Sequence, residues 1–257
     1  MSGYRLCRVE PAEKPFYIET IGVNIFTLEE LCYYIVNDMA LLDETLMNKT
    51  LTAWIGTELK LPELAETLNY LLADGADADE FVIPILKEDG YLSYNEFQNF
   101  RMLLTKQGKE PRRLRLKKKA DALVGSDKLV GAIAVYRKVL ELDLSDAKDS
   151  FVAAVHHNMG VAFVRLFRYR EALECFEKAL KVTYTREYLK TYLFAYALSK
   201  PRDKYEEKCA ELGVDDRTRA EVEEELRAMP PEVPVAEGEI DRYLSGLTRA
   251  YHRAADA

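Results

Sequence analysis

The stretch HHNMGVAFVRLFRYREALECFEKAL, His156 to Leu180, decides how this chain folds. Its small residues Gly160, Ala172 and Ala179 stand among bulky neighbours, and helix formation alone gives no reason to place them there. A second stretch, LVGAIAVYRKVL at 129–140, explains the pattern once the two are set in register. Leu129 then aligns with Tyr169, Ala132 with Ala172, Tyr136 with Phe176, Val139 with Ala179 and Leu140 with Leu180. The interval from Ala132 to Ala172 is a period of 40 residues, within the range that marks stacked helical repeats.

Antiparallel helices that pack closely bring their axes to about 8–10 Å, which requires small side chains at the crossing points and large ones between turns. Gly160 and Ala172 are the expected points of contact within a pair, and Ala179 lets the next helix lie close. Phe163, Tyr169 and Phe176 fill the spaces between them.

With the pair Met159-Gly160, then Phe163, Tyr169, Ala172, Phe176, Ala179 and Leu180, the segment resembles a tetratricopeptide repeat. An upstream copy keeps Ala120, Leu123, Leu129, Ala132, Tyr136 and Leu140. A third, TREYLKTYLFAYALSK, keeps Ala195 and Leu198. The period exceeds the family's usual 34 residues. The excess falls in LDLSDAKDSFVAAV, where Ser145 is expected to cap an extended helix, and the family's loop proline is missing after Leu140 and Leu180.

The resemblance implies a mostly α fold: a right-handed α-solenoid of two to three helix pairs, preceded by a mostly helical domain with a short β-hairpin. Helices are expected at about 113–125, 127–142, 146–167, 169–182 and 186–199, with two more at 203–212 and 217–229. The expected domains are 1–108, the repeats at 109–200, and capping helices with a Pro-rich linker at 201–257. So few repeats need caps, and residues 27–106 and 200–255 are expected to pack on the array. The resemblance also implies that the first helix of each pair lines a groove for a partner peptide or helix. Mapped onto this chain, the partner-binding positions are Lys117, Asp121 and Val124, then His157, Asn158, Val161 and Arg165, then Tyr192 and Tyr196. Lys117 and Asn158 match positions that clamp a C-terminal carboxylate in some relatives, whereas Asp121 stands where such clamps have Asn.

Elsewhere the signals are local. PFYIETIGVNIF at 15–26, with YRLCRV at 4–9, predicts extended segments around Gly22. Thr27 with Glu30 and Ser93 with Glu96 are capping boxes, opening helices after Thr27 and from Tyr94 to about Lys106. Helices are also expected at 49–59 and 63–72, the latter with Pro62 in its first turn. DGADADE at 74–80 reads as a surface turn, and GKEP at 108–111 ends the first helical region. IDRYLSGLTRAYHRA, from Ile240, is an amphipathic helix with Ile240, Tyr243, Leu244, Leu247 and Tyr251 on one side.

Composition narrows the function. The chain is 48% hydrophobic and 31% charged, the balance of a globular protein, and its formal charge of −8 argues against coating nucleic acid or an anionic membrane. Its N-terminus lacks a signal-peptide core and no run of 18 apolar residues occurs, so a cytoplasmic location is expected. Four cysteines without a CxxC pair read as buried free thiols; no metal or cofactor is expected. The basic run RRLRLKKK at 112–119 reads as a largely solvated helix face, more attractive to an acidic protein than to nucleic acid. KEDGYLSYNEF resembles half of a calcium loop, but Ile85 and Lys87 stand where its first and third ligands belong. Phosphate, nucleophile-elbow and zinc-protease motifs are missing, and a cleft joining Tyr17, Glu29, Tyr33 and Arg101 would be needed to argue for an enzyme. The expectation is a non-catalytic interaction module, scaffold or chaperone-adaptor, with another protein as partner, acidic in character. The alternative is a transcription regulator, since TLEELCYYI and LPELAETLNYLL have the cadence of a helix-turn-helix.

Overall fold

The computed structural model describes residues 10–229 and 239–255, with side chains to residue 249. The segment 4–9, Cys7, the Pro-rich stretch 230–238 and the side chain of Tyr251 lie outside the described residues. Two compact units divide the chain, residues 1–206 and 207–257.

The first unit opens with β1 (Phe16–Ile18) and β2 (Val23–Ile25), antiparallel, with Tyr17 opposite Asn24. Gly22, at φ +64, makes the turn that the β-branched residues flanking it could not. α1 (Leu28–Asn37) begins at the expected capping box, with Thr27 accepting from the Glu30 amide at 3.1 Å while Glu30 accepts from the Thr27 amide. A short 3-10 turn follows at Met39–Leu41, then α2 (Lys49–Thr57) and α3 (Pro62–Asp74). Trp54 on α2 packs on Phe16 and donates to the Lys14 carbonyl at 2.8 Å, fixing the hairpin to the helices.

One helix was not legible. α4 (Ala78–Asp89) starts inside the acidic segment read as a turn and contains Pro84, which removes a backbone hydrogen bond at a cost of about 3 kcal/mol. Phe81, Val82, Ile85 and Leu86 are all fully buried on its inner face. Burying four such side chains at about 1.5–3 kcal/mol each outweighs the proline. α5 (Tyr94–Gly108) opens at the second capping box, on Ser93 and Glu96.

The array follows as α6 (Arg112–Gly125), α7 (Leu129–Leu140), α8 (Asp149–Arg165), α9 (Tyr169–Val182) and α10 (Arg186–Ser199), each packed on the one before it, with α6 also reaching α8. This is the helical repeat fold expected. Ser145 does not cap α8, which begins four residues later at Asp149; the Ser145 amide instead donates to Asp143 at 3.0 Å. Among the described residues, just one stretch of the N-terminal region meets the array closely: the 3-10 turn at Met39–Leu41, with Asp43 after it, lies against α6. Lys119 on α6 pairs with Asp43, while Gln107 on α5 donates to the Met39 carbonyl at 3.0 Å and ties that turn to α5 within the N-terminal region.

Register between the pairs extends to their turns. Asp127 and Phe167, forty residues apart, both take left-handed backbone conformations, φ 61 and 57. The following amides close the same bond, Lys128 to the Leu123 carbonyl at 2.8 Å and Arg168 to that of Phe163 at 2.9 Å. α11 (Arg202–Glu211) follows α10 in the chain, and α12 (Asp216–Ala228) and α13 (Ile240–Ala255) belong to the second unit. Among the described residues, no helix is long and apolar enough to cross a membrane.

Candidate functional site

The thin point at Gly160 has a specific cause. A Cβ added there would meet three ring atoms of Phe176 at 2.6–3.0 Å, so α8 must lack a side chain where the ring from α9 lies. The crossing is thus a glycine against an aromatic face, with the fully buried Ala172 and Ala179 completing the close approach. Forty residues earlier Ala120 and Tyr136, both fully buried, hold the corresponding places.

α6, α8 and α10, the first helices of their pairs, carry the expected partner-binding residues, and the structure brings three of these together at Asp121. One Asp121 oxygen accepts from the Tyr136 hydroxyl at 2.6 Å and from Asn158 Nδ2 at 2.9 Å; the other accepts from Lys117 Nζ at 2.7 Å. Tyr136 and Lys117 come from within the first pair, while Asn158 reaches across from α8. Burial and the adjacent carboxylate push the Tyr136 hydroxyl well above the ordinary phenol range, so it stays a proton donor. Lys117 and Asn158, the two residues that match a carboxylate clamp, are already spent on a carboxylate of the same chain.

His157 sits at the α8–α10 contact. Its ring stacks on Tyr188 with centroids 4.5 Å apart and tilts against Phe176 at 5.5 Å, while Nδ1 lies 3.3 Å from the Asn158 side-chain oxygen. Burial holds its pKa below the usual imidazole value, against the opposing pull of Asn158 and Glu187. His156 is depressed likewise, by burial and Lys178.

Arg165 does not stand free. It donates to the Val124 carbonyl at 2.8 Å and to Asp127 at 2.9 Å, completing the C-terminus of α6 with a cation where the helix dipole is negative. Tyr192 needs correction as a contact residue, because it is 3% exposed with its hydroxyl 3.2 Å from Glu177 and presents no ring face to a partner. Tyr196, half-buried, packs on it at 5.9 Å. Val124 and Val161 are half-buried apolar positions on α6 and α8.

The basic run departs from its reading as a solvated face. Four of its six cations are tied down: Arg113 to Asp146 at 2.7 Å, Lys117 to Asp121, Lys118 to Glu110 at 2.6 Å, and Lys119 to Asp43. The run is largely a set of fastenings between α6 and its surroundings. Cys32, Cys175 and Cys209 are buried free thiols as read, and burial pushes the Cys175 thiol up to about 11. Of the four residues whose cleft would argue for an enzyme, Arg101 lines a surface trough made of α5 residues and Lys109 at its C-cap, and Tyr17 and Tyr33 are exposed.

Sequence reading missed the hub at Asp121 and the stacking partner Tyr188. The first left a trace: in register, Asp121 and Tyr136 replace Val161 and Phe176, a paired change from apolar to polar.

Residues 153–185 match the tetratricopeptide repeat family model, covering α8 from Ala153 onward, the turn at Phe167 and all of α9. The chain therefore carries a tetratricopeptide repeat at the place where Gly160 meets Phe176. No curated protein and no solved structure matches it significantly.

Proposed function

We propose that the chain is a non-catalytic interaction protein, a scaffold or adaptor, that holds a peptide or helix of another protein against the face formed by α6, α8 and α10. The tetratricopeptide repeat at 153–185 carries this reading, because such repeats generally mediate protein–protein contact and α8 lies between two further first helices. Recognition there is by shape and desolvation on a preformed surface. Lys117, Asn158 and Arg165 are engaged within the chain, so the ligand gains most from Val124, Val161 and the edges of His157 and Tyr196. A free C-terminal carboxylate is not what this face selects.

The helix-turn-helix alternative draws no support from α3, whose exposed Glu63, Glu66 and Asp74 would repel phosphate and which holds no Lys or Arg. The test uses the immobilised full chain to capture its partner from lysate, with Val124→Asp/Val161→Asp as the variant and circular dichroism as the fold control. A folded double variant is expected to retain about a tenth or less of the partner, as for loss of a buried apolar contact. Undiminished capture would overturn the reading.

A further inference from the structure

α5 has an outer face that the fold does not use. Gln98, Arg101, Met102, Thr105, Lys106 and Lys109 recur at helical spacing and share one surface trough. The inner side is held by buried Phe100 and Leu104. Arg101, Lys106 and Lys109 are exposed and make no ion pair among the described residues. Met102 is 62% exposed and Leu103 48%, so apolar surface lies among the cations.

The positive charge continues into α6. Arg112 and Arg115 are the two cations of the basic run with no ion pair among the described residues, and both are exposed. Lys109 and Arg112 are three residues apart, so their Cα atoms lie within about 11 Å. Five unpaired cations thus cluster over 15 residues of a chain whose net charge is −8. At physiological salt, charges interact over about 8 Å, so a ligand at this face meets the local cluster and not the net charge. Lys106 and Lys109 complement the negative end of the α5 dipole. That accounts neither for Arg101 nor for the exposure of Met102 and Leu103.

We infer that the outer face of α5, continued by Arg112 and Arg115, docks a short acidic amphipathic segment of a partner protein, its carboxylates on the cations and an apolar side chain on Met102. A nucleic acid fits less well. It would carry phosphates past the cluster onto the acidic remainder of the surface, and it offers nothing to Met102 and Leu103; residues 101–115 hold no aromatic side chain for bases to stack on, the exposed Tyr94 of α5 lying two turns earlier. This site shares the start of α6 with the face of α6, α8 and α10 but uses Arg112 and Arg115 and none of Lys117, Asp121 and Val124, and it does not depend on that face.

The test is fluorescence anisotropy on the full chain with three labelled probes: a 14-residue peptide of Glu with Leu at every third and fourth position, an all-Glu peptide of that length, and a 20-base-pair DNA duplex. The amphipathic peptide is expected to bind tightest and to weaken as salt rises. Arg101→Glu/Lys106→Glu/Lys109→Glu should weaken it by about 10-fold or more, Met102→Ser by about 3-fold, and the groove variant Val124→Asp/Val161→Asp not at all. All of these side chains are exposed or half-buried, and urea unfolding of each variant confirms its fold. Equal affinity for the charge-reversed variant, equal affinity for all-Glu peptide, tighter binding of the duplex, or loss of peptide in the groove variant would each overturn the inference.

Discussion

Where the first helix pair carries Asp121 and Tyr136, the second, forty residues on, carries Val161 and Phe176. Both pairs keep the same turn and the same close crossing, yet the first is organised around a shared carboxylate and the second around an aromatic ring pressed on a glycine. The backbone frame therefore demands a small residue opposite a flat ring. It is indifferent to whether that ring ends in a hydroxyl, provided a partner for the hydroxyl is supplied nearby. Asp121 is that partner, and it draws Asn158 of the second pair into the same network.

The two pairs differ most in what their crossings tolerate. Gly160→Ala drives a methyl group into Phe176 and should destabilise the protein by about 1–3 kcal/mol, as overpacking does. The opposite change in the first pair, Ala120→Gly, loses helix propensity, about 1 kcal/mol, and a fully buried methyl group, about 0.8 kcal/mol more, without any clash. Urea unfolding measures both variants; a Gly160→Ala chain no less stable than the parent would mean that the second crossing has room for a methyl group.

The polar hub offers the next largest effect. Asp121→Val leaves the Tyr136 hydroxyl buried without its acceptor and should cost about 1–3 kcal/mol. Adding Tyr136→Phe makes the first pair resemble the second and should recover part of that loss, a coupling of about 0.5–3 kcal/mol in a double-mutant cycle. Strict additivity would show that the two residues do not act as a unit.

A pH titration separates the second pair from the ion pair that holds α6 to the N-terminal region. His157 has its pKa depressed in the fold, so the unfolded chain binds its proton more readily. Stability from this site is complete above about pH 6.5 and falls as pH drops through and below that value. Asp43 titrates in a different window. Burial raises its pKa, but hydrogen bonds from Lys119 and Thr45 prevail and hold it below the usual carboxylate value, so its contribution is lost only below about pH 4. His157→Gln should reduce the loss of stability below about pH 6.5, without abolishing it because His156 is depressed too, and leave the acid limb intact; an unchanged profile would mean that His157 contributes nothing to it.

The smallest effect lies in the turns. Phe167→Gly relieves a left-handed conformation at a bulky residue and should stabilise by about 0.5–1 kcal/mol, less the ring contact with Tyr169. Asp127→Gly should not stabilise equally, because Asp tolerates that conformation better and because its ion pair with Arg165 is lost. Thermal melts of both variants order the two turns.

The second pair was legible in the sequence because its small and aromatic residues are constrained by close packing, which leaves few alternatives at Gly160, Ala172 and Phe176. The first was legible through the second, by register. Capping boxes marked the starts of α1 and α5 because they are written within four residues. α4 stayed hidden because Pro84 and the acidic segment before it signal a break locally, while the burial that outweighs them comes from distant parts of the chain. The site was legible in position only. Spacing placed Lys117, Asp121 and Asn158 on the first helices, but whether such side chains face a ligand or one another depends on distances across helices. Tyr192 failed for the same reason: a Tyr at helical spacing does not say whether it fills a gap or faces out.

The most direct measurement places a photo-crosslinking amino acid at Val161 on α8 or at Lys178, an exposed position on α9, and identifies by mass spectrometry what each captures in lysate. A protein is expected to cross-link from position 161 and not from position 178. Capture from 178 alone would contradict it, because the partner would then lie on the second helices and not on the face of α6, α8 and α10.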